Sequence, residues 1–321
     1  MGAQSVSPRD KANTPPNVVE SIGNTPIIEL RRVVPSGSAR VLAKLEWANP
    51  TGSMKDRVAK AIIEGAERKG QIKPGSTVVE YTSGTTGISL AMVCAAKGYK
   101  MHVVYSDAFS EEKRLTMKGF GATVEDVKSD NKQITEKLIK EMIERSRIIS
   151  QRPNHWWSDQ LSNRDAIEGY YPLGEEIWRQ TSGEIDAFVH VVGTAHSIHG
   201  TSRALRKHKK VHVTAVEPAE SAVLSGGISG ANKIEGIGIG FIPPLWEPDE
   251  VDEIIKVGAE DAKKMSRRLA KEEGLFAGAS SGANVVAALR VAELLGSNAT
   301  VVTIIVDSGL RYLSTDLYKE S

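Results

Sequence analysis

Short apolar runs rich in β-branched residues recur along this chain, each followed by a longer amphipathic stretch. That alternation restricts the fold more than any other feature. Residues 41–47, 77–81, 102–106, 123–127, 187–192, 212–217 and 300–307 read as strands. Residues 55–69, 88–97, 111–120, 134–145, 164–180, 197–208, 260–273 and 283–295 read as helices. Many of the strands are apolar on both faces, as a strand must be when helices cover it on both sides. Strand–helix alternation of this kind implies an α/β fold with mostly parallel sheets flanked by helices. Ligands in such folds sit beyond the carboxyl ends of the strands.

The 321 residues exceed one ordinary core, so two lobes are expected. Residues 150–163 carry Pro153, Trp156 and Trp157 and break the alternation, which places a crossing between lobes there. The expected division is a larger lobe from 17–47 and 154–321, and a smaller lobe from 48–153. Residues 1–16 are polar and contain proline, which predicts a flexible tail. Val6 occupies the Ser/Thr position of what would otherwise be a myristoylation signal.

A formal net charge of +1 gives no reason to expect a nucleic-acid or membrane-surface partner. The basic run Arg203, Arg206, Lys207, Lys209 and Lys210 reads as the solvated end of a helix. No apolar run reaches transmembrane length and no signal peptide is evident, so a cytoplasmic protein is expected. The single cysteine, Cys94, lies in an apolar run and reads as a buried, inert thiol. The seven histidines show no metal-binding spacing, so no metal is expected.

Four strand-to-helix turns are rich in Gly, Ser and Thr. In Asn49-Pro50-Thr51-Gly52-Ser53-Met54-Lys55-Asp56-Arg57, Ser53 and Asp56 resemble a capping box. Lys55 then falls in the first helical turn, where the positive end of the helix dipole opposes an ammonium. A lysine held there tends toward a lower pKa and easier Schiff-base formation; the plain alternative is a tolerated surface lysine. Thr82-Ser83-Gly84-Thr85-Thr86-Gly87 offers hydroxyls and backbone N–H groups at a helix start, suited to a carboxylate. A simple cap needs only one of those hydroxyls. Gly193-Thr194-Ala195-His196-Ser197 would receive a phosphate in the same way, yet it is neither a Walker A loop nor a dinucleotide fingerprint. Gly278-Ala279-Ser280-Ser281-Gly282 reads by itself as a cap before a helix from Ala283.

Taken together, these turns resemble the cysteine synthase family of pyridoxal 5'-phosphate (PLP) enzymes, which includes cystathionine β-synthase. The likeness runs from Val18 to Tyr318. It is carried by Ile22-Gly23-Asn24-Thr25-Pro26, the Lys55 motif, Glu235-Gly236-Ile237-Gly238, Phe241-Ile242-Pro243 and Asp307-Ser308-Gly309-Leu310-Arg311-Tyr312-Leu313. The resemblance implies fold type II, the tryptophan synthase β-like arrangement of two lobes around the cofactor. It also implies a homodimer, and a smaller lobe that closes on the substrate carboxylate.

By resemblance, Lys55 carries PLP as a Schiff base and later moves the α-proton. Thr85, residues Gly193, Thr194, Ala195, His196 and Ser197, and Ser280 would contact the cofactor, Ser280 at the pyridine nitrogen. Thr82, Ser83, Thr86, Gln160 and Gly236 would contact the substrate. A hydroxyl at the ring nitrogen makes a weaker electron sink than a carboxylate and relatively favours loss of a β-leaving group. The implied reaction is β-replacement on a serine-derived amino acid, such as O-acetylserine with sulfide, through an aminoacrylate. A β-eliminating cysteine desulfhydrase and a non-catalytic relative stand as alternatives.

The chain departs from the family pattern in places. Thr85 replaces an asparagine that normally meets the 3'-oxygen of PLP. Ala195 and His196 replace two glycines of the phosphate loop, whose backbone donors survive if neither residue needs positive φ. His196 reads either as a further phosphate contact or as a packing residue. Glu235 stands where glutamine is frequent; it reads as a structural hydrogen-bonding group or as a base for an incoming nucleophile.

Overall fold

The structure, a computed structural model, describes residues 16–319. The expected tail at 1–16 lies outside the described residues except for its last position. The strands are β1 (Ile27–Leu30), β2 (Arg40–Leu45), β3 (Thr77–Tyr81), β4 (Lys100–Ser106), β5 (Thr123–Val127), β6 (His155–Trp157), β7 (Ala187–Val191), β8 (His212–Pro218), β9 (Glu253–Val257) and β10 (Thr300–Ile305). The helices are α1 (Lys55–Arg68), α2 (Thr85–Lys97), α3 (Glu111–Gly119), α4 (Glu136–Ser150), α5 (Asp165–Glu168), α6 (Tyr171–Gln180), α7 (His196–Arg206), α8 (Ala259–Arg268) and α9 (Ala279–Leu295).

Two sheets form. The larger has the order β1-β2-β10-β7-β8-β9 and the smaller β5-β4-β3-β6. Every pairing is parallel except β1 with β2. β7 and β10 are buried at every residue, as expected of central strands covered on both faces. Each sheet has its own apolar core, and α1 is wedged between them. Its Val58 and Ile62, one turn apart, enter the larger core; Ala59 and Ile63 enter the smaller.

Several sequence expectations are corrected. The lobe boundary at 153/154 falls too early, because His155–Trp157 pairs with Thr77–Val79 in the smaller sheet. β1, β6 and β9 were not expected from the sequence; all three are short edge strands whose partners lie elsewhere in the chain. The continuous helix expected at 164–180 is broken between Glu168 and Tyr171. Gly169 there abuts the Arg57 carbonyl and Ala61, where a Cβ would sit 3.0 and 2.6 Å away, so the chain turns to pass α1. The helix expected from 283 begins at Ala279, which brings Ser280 and Ser281 into its first turn. The last part of the helix expected at 260–273 is a π-turn over Leu269–Glu273. The basic run at the end of α7 is less free than expected: Arg203 pairs with Glu247 and Glu250, Arg206 with Asp252, and Lys209 with Asp186. Cys94 is buried, and burial pushes its thiol up to about 12.

Candidate active site

A cavity of about 310 Å³ opens between the two sheets, beyond the carboxyl ends of their strands. Lys55 lines it from the start of α1. That helix end is held from several sides. The Met54 N–H donates to the Val306 carbonyl at 3.0 Å, and the Tyr170 hydroxyl donates to the Met54 carbonyl at 3.2 Å. Two residues on, the buried Arg57 guanidinium bridges Glu46 at 2.7 Å and Glu176 at 2.8 Å. The expected capping box does not form. Met54 is the cap residue, without a side-chain cap, and Asp56 instead accepts from the Thr51 N–H and hydroxyl at 2.8 and 2.5 Å.

Burial lowers the Lys55 amine to about 8, and the opposing charge of Asp307 only partly offsets it. A large neutral fraction near pH 8 suits an amine that must attack an aldehyde. Asp307 is itself buried at the end of β10. Burial raises its carboxyl, and the Tyr312 hydroxyl donates to Oδ2 at 2.7 Å.

On the smaller-sheet side, Ser83, Thr85 and Thr86 line the cavity. Gly84 takes φ +123°, a conformation that favours glycine, and any Cβ there would run into the Lys113 side chain. Thr82 does not reach the cavity lining. Its buried hydroxyl oxygen accepts from the N–H groups of Gly84 and Gly87 at 2.9 and 3.3 Å, so it ties the loop to itself. The first-turn N–H groups of Thr85 and Thr86 have no intrahelical partner and remain to meet an anion. Gln160 also lines the cavity; its Nε2 donates to the Tyr81 carbonyl at 2.8 Å, and its backbone N–H donates to Glu80 at 2.9 Å.

On the larger-sheet side, Gly193, Thr194, Ser197, Gly236 and Ser280 line the same cavity. A Cβ at Gly193 would strike the Gly236 carbonyl, so this close approach admits only glycine. Ala195 and His196 are absent from the lining. Ala195 adopts φ +67°, the left-handed region, so the turn does need the conformation that a glycine would take without strain. His196 is buried; its Nδ1 lies 3.0 Å from the Thr194 hydroxyl, and Nε2 has no hydrogen-bond partner among the described residues. Burial, with the Lys55 charge, pushes it down to about 3, so it packs as a neutral ring.

Glu235 lines the cavity but is ion-paired with Lys113. His190, Asp307 and Tyr312 also line the cavity, and the sequence assigned none of them a role. Asp307 and Tyr312 stand in the motif from Asp307 to Leu313 that carries the resemblance, which follows a central parallel strand. His190 carried no such signal, being inside a strand. Among the described residues no group of His, Cys, Asp or Glu could hold a metal, and no helix is long and apolar enough to cross a membrane.

Comparison with known proteins decides the family, because residues 18–307 match the pyridoxal-phosphate dependent enzymes. The chain belongs to that family. This PLP enzyme is 44% identical to a cysteine synthase of Staphylococcus aureus strain Mu50 over 305 residues, covering 94% of this chain and 96% of that one. Its structure resembles a cysteine synthase from Entamoeba histolytica with TM-score 0.90 and 37% identity, over 100% of this chain and 95% of the other. It also resembles a hydrogen sulfide-producing enzyme of Fusobacterium nucleatum, with TM-score 0.85 and 33% identity, over 94% and 100% of the two chains. The PLP enzyme adopts the two-lobed fold of these relatives. Its cavity fits the cofactor: a lysine of lowered pKa, a hydroxyl at Ser280, and a glycine-walled turn of backbone donors for a phosphate.

Proposed function

We propose that this PLP enzyme is a cysteine synthase, exchanging the β-substituent of a serine-derived amino acid such as O-acetylserine for sulfide. The observation that carries the reading is Lys55, a lysine of lowered pKa in one cavity with the Ser83–Thr86 turn, Gln160, the Gly193–Ser197 turn and Ser280. Bound PLP supplies the electron sink that acidifies the α-carbon and lets a β-substituent leave.

The chain's own groups do the rest. Lys55 holds the cofactor, then takes the α-proton as a neutral amine and returns it. The N–H groups of Thr85 and Thr86, with the hydroxyls of Ser83 and Thr86 and the amide of Gln160, hold the substrate carboxylate. Gly236 lets the backbone come close to the substrate. Gly193, Thr194 and Ser197 hold the phosphate, joined by the backbone of Ala195 and His196. Ser280 would offer its hydroxyl to the pyridine nitrogen of the cofactor. In the balanced reaction the Cβ–O bond breaks and acetate leaves with its electron pair; the Cβ–S bond forms from sulfide, which gives up a proton. We read the smaller lobe, extended past residue 153 to include β6, as the part that closes over the carboxylate. The reading extends to a cytoplasmic homodimer acting on small molecules, without nucleic-acid or membrane partners.

A second reading, β-elimination from cysteine to sulfide, pyruvate and ammonia, is favoured by one observation, the likeness to the Fusobacterium enzyme. The test is to incubate purified protein with cysteine alone, and separately with O-acetylserine plus sulfide. Cysteine formation faster than sulfide release supports the synthase. Faster release of sulfide and pyruvate from cysteine alone overturns it in favour of the lyase.

A further inference from the structure

Behind the phosphate-binding turn lies a buried chain of hydrogen bonds that the reaction does not require. Asn284, in α9, accepts the Val191 N–H through Oδ1 at 2.7 Å and donates through Nδ2 to the Ile304 carbonyl at 2.7 Å. Those two backbone partners fix which side of the amide carries nitrogen. The second Nδ2 hydrogen therefore faces Nδ1 of His190, 3.2 Å away, and that ring nitrogen must be a bare acceptor. His190 is buried, and burial, with the Lys55 charge, pushes it down to about 3, so the ring is neutral. Its single hydrogen then sits on Nε2, which lies 2.8 Å from Ser197 Oγ.

The geometry points to His190 and Asn284 as positioning residues that set the direction of the Ser197 hydroxyl. With its oxygen occupied by His190 Nε2–H, Ser197 keeps its own hydrogen free to donate into the cavity that it lines. A phosphate only accepts there, so this rotamer is the productive one. The opposite tautomer would accept the Ser197 hydrogen and turn a lone pair toward the anion. The inference rests on the reading that residues 193–197 receive the cofactor phosphate.

The test is PLP affinity, read by titrating the apo-enzyme with PLP and following its absorbance, with thermal unfolding of each apo-variant as a control. Ser197→Ala should weaken binding about tenfold or more, the scale of a hydrogen bond to a charged group. His190→Ala should weaken it roughly three- to tenfold, and should have no further effect when Ser197 is already alanine. His190→Gln, whose amide can place an N–H near the Nε2 position, should recover most of the affinity. Asn284→Asp, nearly isosteric, should weaken binding by drawing the proton onto Nδ1. Nitrogen-15 spectra of the parent apo-protein should show the Nε2–H form of His190.

Unchanged affinity in Ser197→Ala would overturn the phosphate-loop reading beneath the proposal. A weakened Ser197→Ala beside parental affinity in His190→Ala or Asn284→Asp would overturn the relay alone. So would an Nδ1–H signal for His190, or a His190→Gln variant as weak as His190→Ala.

Discussion

The Lys113 ammonium is ion-paired with the Glu235 carboxylate at the edge of the cavity, joining α3 beside the smaller sheet to the loop that precedes Ile239 and Gly240. Lys113 is buried, lies 4.4 Å over the Tyr312 ring and packs against Gly84. A buried charge left without its partner costs about 3 kcal/mol or more. Glu235→Gln and Lys113→Met should therefore each lower stability, while the double variant loses less than the sum of the two. Urea unfolding of the four proteins measures this coupling; strictly additive losses would show that the pair contributes nothing.

Ala195 takes φ +67° in the turn that opens α7. Glycine accepts that conformation without a Cβ clash, so Ala195→Gly should raise stability by about 0.5–1 kcal/mol. Chemical unfolding of the two apo-proteins checks the sign, and a destabilised glycine variant would contradict it.

Glu176 joins Arg57 and Lys44 in a buried network, at 2.8 and 2.7 Å. Burial alone would raise its carboxyl, but hydrogen bonds and charge from Arg57 and Lys44 outweigh that and hold it at about 2, below its ordinary 4.5. A carboxyl depressed in the folded state stabilises fully above its unfolded value and loses that contribution as pH falls toward the folded one. The stability gap between the parent and Glu176→Gln should thus be largest above pH 4.5 and shrink as pH drops toward 2. Urea unfolding at pH 6 and at pH 3.5, on the two sides of roughly that boundary, reads the change. A gap independent of pH would mean that Glu176 is not ionised against its neighbours.

Lys55→Ala should abolish turnover by removing both the cofactor linkage and the amine that moves the α-proton. Borohydride reduction followed by peptide mapping should find a pyridoxyl group on the Lys55 peptide of the parent and none on that of the variant. An active Lys55→Ala protein would remove the basis of the proposed mechanism.

The amino-acid sequence by itself determined the α/β class and the four turns that meet at the cavity. Each of those turns leads directly into a helix, and its Gly, Ser and Thr residues report local backbone demands. Lys55 was legible for the same reason, standing at a helix start within a contiguous motif. Tertiary structure alone decided which of the hydroxyls face inward. Thr82 and Thr86 look alike in the sequence, yet Thr82 is consumed by its own loop while Thr86 lines the cavity. It also decided that Ala195 takes the left-handed conformation, that His155–Trp157 joins the smaller sheet, and that Lys113 meets Glu235 across 122 positions of chain. The pairing of His190 with Asn284 spans 94 positions and was equally silent. Such contacts depend on how helices and sheets pack, and packing brings together residues whose sequence neighbours carry no trace of the meeting.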